Sequence, residues 1–267
     1  MTAAEAAILC LVAVTGHLMA LFWLCVEDYE VDLSRDRIYD LPIKHPQVRR
    51  ELKNSLHTPM HALILMVFLL LGCFQDRTII GFVVSLVLTA LWAEIWHYAS
   101  HRAFHLKSLH WIHVEHHKSR LSSPFTALSF SFTEKLVFDL GIVGVLALVD
   151  LVYPLNFFGV ATWFVLYLIV NSYGHANYEI RSPAFMKLKG KVITSTVYHA
   201  LHHSRYTGNY GLGTRVLDRL FGTEWPDSVA IFDRVVAEKK PLSSLREKVE
   251  PKETGQLDAE AGKAGTA

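Results

Sequence analysis

Histidine is concentrated where several side chains can act together. Between His97 and His117 seven of the chain's 15 histidines fall within 21 residues, HYASHRAFHLKSLHWIHVEHH. Positions three and four apart share a helix face. A helical reading therefore aligns His101 with His105, and His113 with His116 and His117. A second box, Tyr198-His199-Ala200-Leu201-His202-His203, repeats the HxxHH spacing later in the chain. Neutral imidazole is a good ligand for iron, zinc and copper, so each box reads as part of a metal site. Solvated or helix-capping histidines are the bland alternative, and they leave the repeated spacing unexplained.

The elements that position these boxes read as membrane helices. Of 267 residues 51% are hydrophobic and mean hydropathy is +0.26, high for a chain with an ordinary charged surface. Residues 6–26 carry no formal charge and match the roughly 20 residues needed to cross a bilayer core; no Lys or Arg precedes them, so a retained helix is expected rather than a cleaved signal peptide. Residues 27–56 turn polar and read as a solvated or interfacial loop. Apolar runs 59–74 and 78–96 flank Gln75-Asp76-Arg77 as one hairpin, and 136–153 and 157–173 form another around Pro154. The first hairpin delivers the chain into the first histidine box and the second delivers it to Asn171 and His175. The second hairpin reads as either spanning or re-entrant. The carboxylates Glu94, Asp139 and Asp150, expensive in lipid, should face protein or an interface.

The expected fold is thus an all-α integral membrane protein of about four to five transmembrane helices in two hairpins, with a cytoplasmic, helical, histidine-rich cap. The organisation expected is an N-terminal helix and polar loop over 1–56, a catalytic unit over 57–237 and a flexible polar tail over 238–267. If the runs alternate, only Arg77 of 26 Lys and Arg lies opposite the boxes. The positive-inside rule then places the boxes and the C-terminus in the cytoplasm, at a bacterial inner membrane or the endoplasmic reticulum. Cys10, Cys25 and Cys73 sit in apolar runs without paired spacing, so neither disulfides nor thiolate ligands are expected. A net charge of +1 argues against nucleic acid as a partner.

The run Glu94-x3-Tyr98-x2-His101-Arg102-x2-His105, then His113-x2-His116-His117, resembles the first two histidine boxes of the fatty acid hydroxylase/sterol desaturase superfamily. His199-x2-His202-His203 resembles the third box and His175-Ala176-Asn177 the segment between boxes. Asn209-Tyr210-Gly211 and Asp218-Arg219-Leu220-Phe221-Gly222-Thr223 resemble the closing signature. His97 and His110 depart from positions usually aromatic in that family, and Ser131-Phe132-Thr133-Glu134 stands where many members carry His-Pro-x-Glu.

Nine imidazoles (His101, His105, His113, His116, His117, His175, His199, His202 and His203) exceed what one ion can use, which predicts two metals. Asn171, four residues before His175, is a candidate tenth or water-mediated ligand. Glu94, His97, Tyr98 and His110 are expected beside the ligands, and His57 and His61 read as interfacial. No catalytic group beyond the ligands stands out. The resemblance implies a di-iron centre using O2 as co-substrate, a lipid substrate to be hydroxylated or desaturated, and an external electron donor similar to cytochrome b5 or a ferredoxin. The competing classes are a non-redox membrane zinc-binding protein or zinc hydrolase and, within the family, aldehyde-to-alkane chemistry.

Overall fold

A computed structural model describes residues 1–28, 36–190 and 192–250. Helix α1 (Ala3–Asp28) is followed by strand β1 (Asp36–Arg37) and helices α2 (His45–Ser55), α3 (Met60–Leu70), α4 (Ile79–Phe104) and α5 (His110–His117). A 3₁₀ turn at Thr126–Leu128 leads to α6 (Phe132–Asp139), which passes through a π-helical turn, Leu140–Gly144, into α7 (Val145–Asp150). Then come α8 (Phe157–Gly174), β2 (Tyr178–Glu179), α9 (Pro183–Lys189), α10 (Thr196–Arg205), α11 (Val216–Leu220) and α12 (Ser228–Val236).

Local sequence starts these helices. Thr2 and Glu5 close a reciprocal capping pair at α1, with Glu5 N–H donating to Thr2 Oγ1 (3.2 Å) and Thr2 N to Glu5 Oε2 (2.6 Å). Thr78, Ser131, Asn156 and Ser195 each accept from the first-turn amides of α4, α6, α8 and α10. At α4 the composition then decides which face goes where. Gly81, Ser85, Thr89 and Ala93 are buried, while Ile79, Val83, Val87, Leu91 and Ile95 are exposed. Small residues inward and branched apolar residues outward is the packing of a helix surrounded by lipid. Gly159 of α8 makes the close approach possible, because a Cβ there would sit 2.5 Å from Phe82 O of α4.

Among the described residues three helices are long and apolar enough to cross a membrane: Ala3–Val26, Ile79–Phe104 and Phe157–Gly174. The other two expected runs are shorter or broken. Helix α3 has 11 residues, about 16 Å at 1.5 Å per residue, and the run over 132–150 is interrupted by its π turn. The far ends of the runs nevertheless meet: Asp76 N donates to Leu155 O (3.0 Å), Phe157 N to Phe74 O (3.1 Å) and Arg77 Nη2 to Glu5 Oε1 (2.6 Å). Asp150 satisfies Phe74 N and Leu155 N there. The histidines gather at the opposite end, where α4, 26 residues long and about 39 Å, carries His97 and His101 on its last two turns. The first box therefore continues the membrane helix, which extends to Phe104 rather than ending near residue 96.

Two expectations are corrected. The polar segment 27–56 is not a solvated loop through its described part: Ile38, Tyr39 and Glu51 are buried, β1 pairs antiparallel with β2 and α2 is packed inward. Its charge pattern hid one buried helix face. Of the tail, residues 238–250 lie against the cap. Leu242 is buried in a core with Ile38, Val197, Leu201, Ile231 and Val235, and exchanges backbone hydrogen bonds with Ile38 and Asp40. Residues 251–267 lie outside the described residues.

Candidate metal centre

His101, His105, His113, His117 and His202 each bring a nitrogen to within 4.8 Å of the others; His116, His175, His199 and His203 form a second such group. All nine candidate ligands thus fall into two buried or nearly buried sets. The division follows helix geometry. Neighbouring residues point about 100° apart on a helix, so His116 and His117 of α5 separate between the groups, as do His202 and His203 of α10.

Six of the nine Nδ1 atoms are held from outside. His101 Nδ1 donates to Tyr210 O (2.8 Å), His202 to Gly208 O (2.7 Å), His203 to Ser119 O (3.0 Å), His175 to Asn171 O (2.7 Å) and His116 to Ser129 O (3.2 Å). His113 Nδ1 pairs with the Glu134 carboxylate. A carbonyl only accepts, so the proton of each carbonyl-bound ring lies on Nδ1 and Nε2 carries the lone pair. Those lone pairs face one another: His175 Nε2 is 3.1 Å from His203 Nε2 and 3.4 Å from His116 Nε2, with His199 Nε2 also 2.9 Å from His175 Nε2 and His117 Nε2 3.0 Å from His202 Nε2. Two lone pairs do not bond, whereas ligand nitrogens at 2.0–2.1 Å from a shared cation stand about 2.9–3.4 Å apart. Nε2 of His101, His105 and His113 is also buried without a hydrogen-bond partner. The donor set therefore fits two cations.

Burial keeps these rings neutral. It pushes His105, His113, His116, His117, His199, His202 and His203 well below the ordinary imidazole value and His175 down to about 4, and neighbouring imidazoles add to the effect at most of them. Neutral imidazole is the form that binds metal.

Four of the five carbonyl anchors sit on two loops and the fifth, Asn171 O, on α8. Gly208 has φ +78°, and a Cβ there would approach Thr223 O to 2.6 Å, so glycine is required where the backbone turns to offer its carbonyl to His202. Asp218, fully buried, accepts from Tyr210 N (2.9 Å), Gly211 N (2.7 Å) and Thr223 Oγ1 (2.7 Å), fixing the carbonyl that holds His101. On the other side, Asn171 Nδ2 donates to Ala127 O (2.7 Å) and its own carbonyl holds His175.

The residues expected beside the ligands divide. Glu94 touches no imidazole; it accepts from Thr214 N (2.8 Å) and Thr214 Oγ1 (2.7 Å), tying α4 to the loop that carries Tyr210. Tyr98 OH bonds Thr223 Oγ1 (3.0 Å), one step from Asp218. His97 packs edge-on against His101, centroids 5.1 Å apart, outside both groups, and His110 bonds the Tyr206 hydroxyl. His61 is not interfacial: it is buried, with Nδ1 2.7 Å from Asp139 Oδ1. Glu134 was missed as a partner of His113, although Ser131-x-x-Glu134 carries a capping spacing that places it on α6. Glu51 was missed outright.

A cavity opens beside both groups. Its lining includes His101, His113, His116 and His175 together with Phe104, Phe138, Tyr167 and Lys135. Lys135 Nζ donates to Thr58 Oγ1 (3.0 Å) and Leu128 O (2.9 Å), and burial lowers its pKa to about 7.

Among curated proteins the chain is 26% identical over 230 residues to the very-long-chain aldehyde decarbonylase GL1-6 of Oryza sativa, covering 80% of this chain and 35% of the relative. It is 25% identical over 210 residues to Protein CER1-like 1 of Arabidopsis thaliana, covering 75% of this chain and 33% of the relative. It is 34% identical over 136 residues to the methylsterol monooxygenase erg25B of Aspergillus fumigatus, 49% of this chain and 45% of the relative. The chain thus spans about a third of the plant relatives' length. No solved structure matches it. The sequence profile of the fatty acid hydroxylase family matches residues 86–223, which run from the middle of α4 through every candidate ligand to the Asp218 loop. With just over half of its length inside that match, this chain belongs to the fatty acid hydroxylase family.

Proposed function

We propose that this protein is an O2-dependent membrane oxidoreductase that holds two iron ions on its nine clustered histidines and hydroxylates or desaturates a C–H position of a sterol or fatty-acyl lipid. The observation that carries this reading is the convergence of two sets of buried or nearly buried imidazoles, six of them with Nδ1 anchored by a carbonyl or carboxylate. Family membership and the resemblance to a methylsterol monooxygenase support the redox class over a zinc-binding protein or zinc hydrolase.

The iron pair would supply the two-electron activation of O2 that attack on an unactivated C–H bond requires. For hydroxylation the balance is one O2, two electrons and two protons per C–H, giving one alcohol and one water. Those electrons come from outside the chain, from a donor of the cytochrome b5 or ferredoxin type. The chain's own residues bind and orient. The histidines hold the metals, Glu134 and the carbonyl anchors fix ring orientation, and burial excludes bulk water. Phe104, Phe138 and Tyr167 offer an apolar wall to a lipid carbon beside the histidines. The charge asymmetry supports a cytoplasmic histidine end, with Arg77 at the far end against Glu5, in an endoplasmic reticulum or bacterial inner membrane.

A second reading is favoured by one observation: relatives named as very-long-chain aldehyde decarbonylases align over 80% of this chain. Aldehyde-to-alkane chemistry would use the same metals and cavity. The test is metal analysis after anaerobic purification, joined to product analysis of lipid extracts and added long-chain aldehydes with and without O2 and reductant. Two irons and an O2- and reductant-dependent hydroxylated or desaturated product support the main reading, and an alkane one carbon shorter selects the second. Tightly bound zinc with turnover in the absence of O2 overturns both.

A further inference from the structure

The second histidine group is braced by a helix that lies outside the family match. Helix α2 presents Gln47, Arg50, Glu51 and Asn54 on one face, at spacing i, i+3, i+4 and i+7. Glu51 is fully buried. Its Oε1 accepts from Ser119 Oγ (2.6 Å), Thr126 Oγ1 (2.8 Å) and Gln47 Nε2 (2.9 Å), and its Oε2 accepts from Ser123 Oγ. Three hydroxyls spaced along one loop thus converge on a single carboxylate. Arg50 Nη2 donates to Ser119 Oγ (2.5 Å) and Asn54 Nδ2 to Ser129 Oγ (3.1 Å), so the same helix also holds both ends of the 119–129 loop.

That loop supplies the supports of the second group. Ser119 O holds His203, Ser129 O holds His116, and Ala127 O accepts from the Asn171 side-chain Nδ2, while the Asn171 backbone carbonyl holds His175. Three of the four rings in the group therefore lead back to the 119–129 loop. None of the anchors found for the first group does: His101 and His202 lead to the Asp218 loop and His113 to Glu134.

We propose that Glu51 is a positioning residue for one of the two metal sites: by tying Ser119, Ser123 and Thr126 together it fixes the carbonyls that orient His203, His116 and His175. The inference rests on the reading of these histidines as metal ligands. Outer partners of this kind typically carry 10–100-fold in metal affinity. Removing the carboxylate leaves three buried hydroxyls without their acceptor and frees the loop. A glutamine keeps one carbonyl oxygen for the Oε1 donors and an amide that Ser123 Oγ accepts, so it preserves most of the network.

The test uses the full chain in detergent, loaded anaerobically with ferrous ion, with iron per chain and its extraction by a chelator as readouts. Wild type is expected to hold two ions. Glu51→Ala is expected to release one of them roughly 10–100-fold faster while the other leaves at the wild-type rate, and Glu51→Gln is expected to restore most of the retention. Combining Glu51→Ala with His203→Ala should lose no more iron than His203→Ala alone, whereas combining it with His101→Ala should lose both ions. Equal retention of both ions in Glu51→Ala, or equal acceleration of both, overturns the proposal alone. Wild-type protein that holds no iron overturns the metal reading beneath it. If Glu51→Ala does not fold, Ser119→Ala removes one hydroxyl and keeps the carboxylate. Faster loss of one ion then supports the proposal, and unchanged kinetics overturn it.

Discussion

The two histidine groups are built from the same boxes but are secured by different parts of the chain. The five-membered group leans on the Asp218 loop and Glu134, both within or beside the residues that define the family. The four-membered group leans on the 119–129 loop, which α2 clamps from outside that match. The anchors of the two candidate metal groups are thus carried by separate segments, and α2, which braces one of them, lies outside the family match.

The largest expected break is removal of a ligand from either side. His202→Ala and His116→Ala should each abolish activity and lower iron content while leaving a folded membrane protein, as read by metal analysis and circular dichroism; full activity in His202→Ala would remove the third box from the site. Next, Asp218→Ala leaves Tyr210 N, Gly211 N and Thr223 Oγ1 without their acceptor. A buried donor left unpaired costs about 1–3 kcal/mol, so a lowered unfolding midpoint is expected, together with selective loss of the ion opposite to the one Glu51→Ala releases. Loss of the same ion by both variants would collapse the distinction between the groups.

Acid should act on both groups in the metal-free protein. Burial holds His175 at about 4 and the box histidines outside α4 well below their ordinary value, whereas an unfolded imidazole titrates near 6.5. Neutral rings in the fold and protonated rings in the unfolded chain mean that stability is fully present above about pH 6.5 and drains as pH falls toward about 4. The thermal midpoint should therefore fall as pH drops from about 6 toward about 4; a midpoint that rises over that range would contradict burial of the rings. The smallest effect is expected at His57, whose ring packs edge-on against Phe132 away from both groups. His57→Ala should leave iron content and activity near wild type.

Much of the candidate site was legible because its logic is local. Spacing of three and four along a helix places imidazoles on one face whatever surrounds them, and all eight box histidines fall in the two groups with His175. Charge also read correctly where lipid allows no alternative: Glu94, Asp139 and Asp150 each found protein partners. Helix α2 failed the same logic. Arg49, Arg50 and Lys53 made 27–56 read as solvated, yet Arg50 shares with Gln47, Glu51 and Asn54 the face that packs against the 119–129 loop.

By itself the sequence determined which side chains can bind metal and which runs are apolar; the structure decided that three of those runs among the described residues form helices long enough to cross a membrane and that the first box continues one of them. The tertiary structure decided how nine histidines divide into two groups, and what holds them. Most anchors are backbone carbonyls, which every residue possesses and no motif marks. Glu51 meets its hydroxyl partners across 68, 72 and 75 residues of chain. Whether such a carboxylate lies in water or at the centre of a buried network depends on packing between distant segments, and no local pattern in the chain records it.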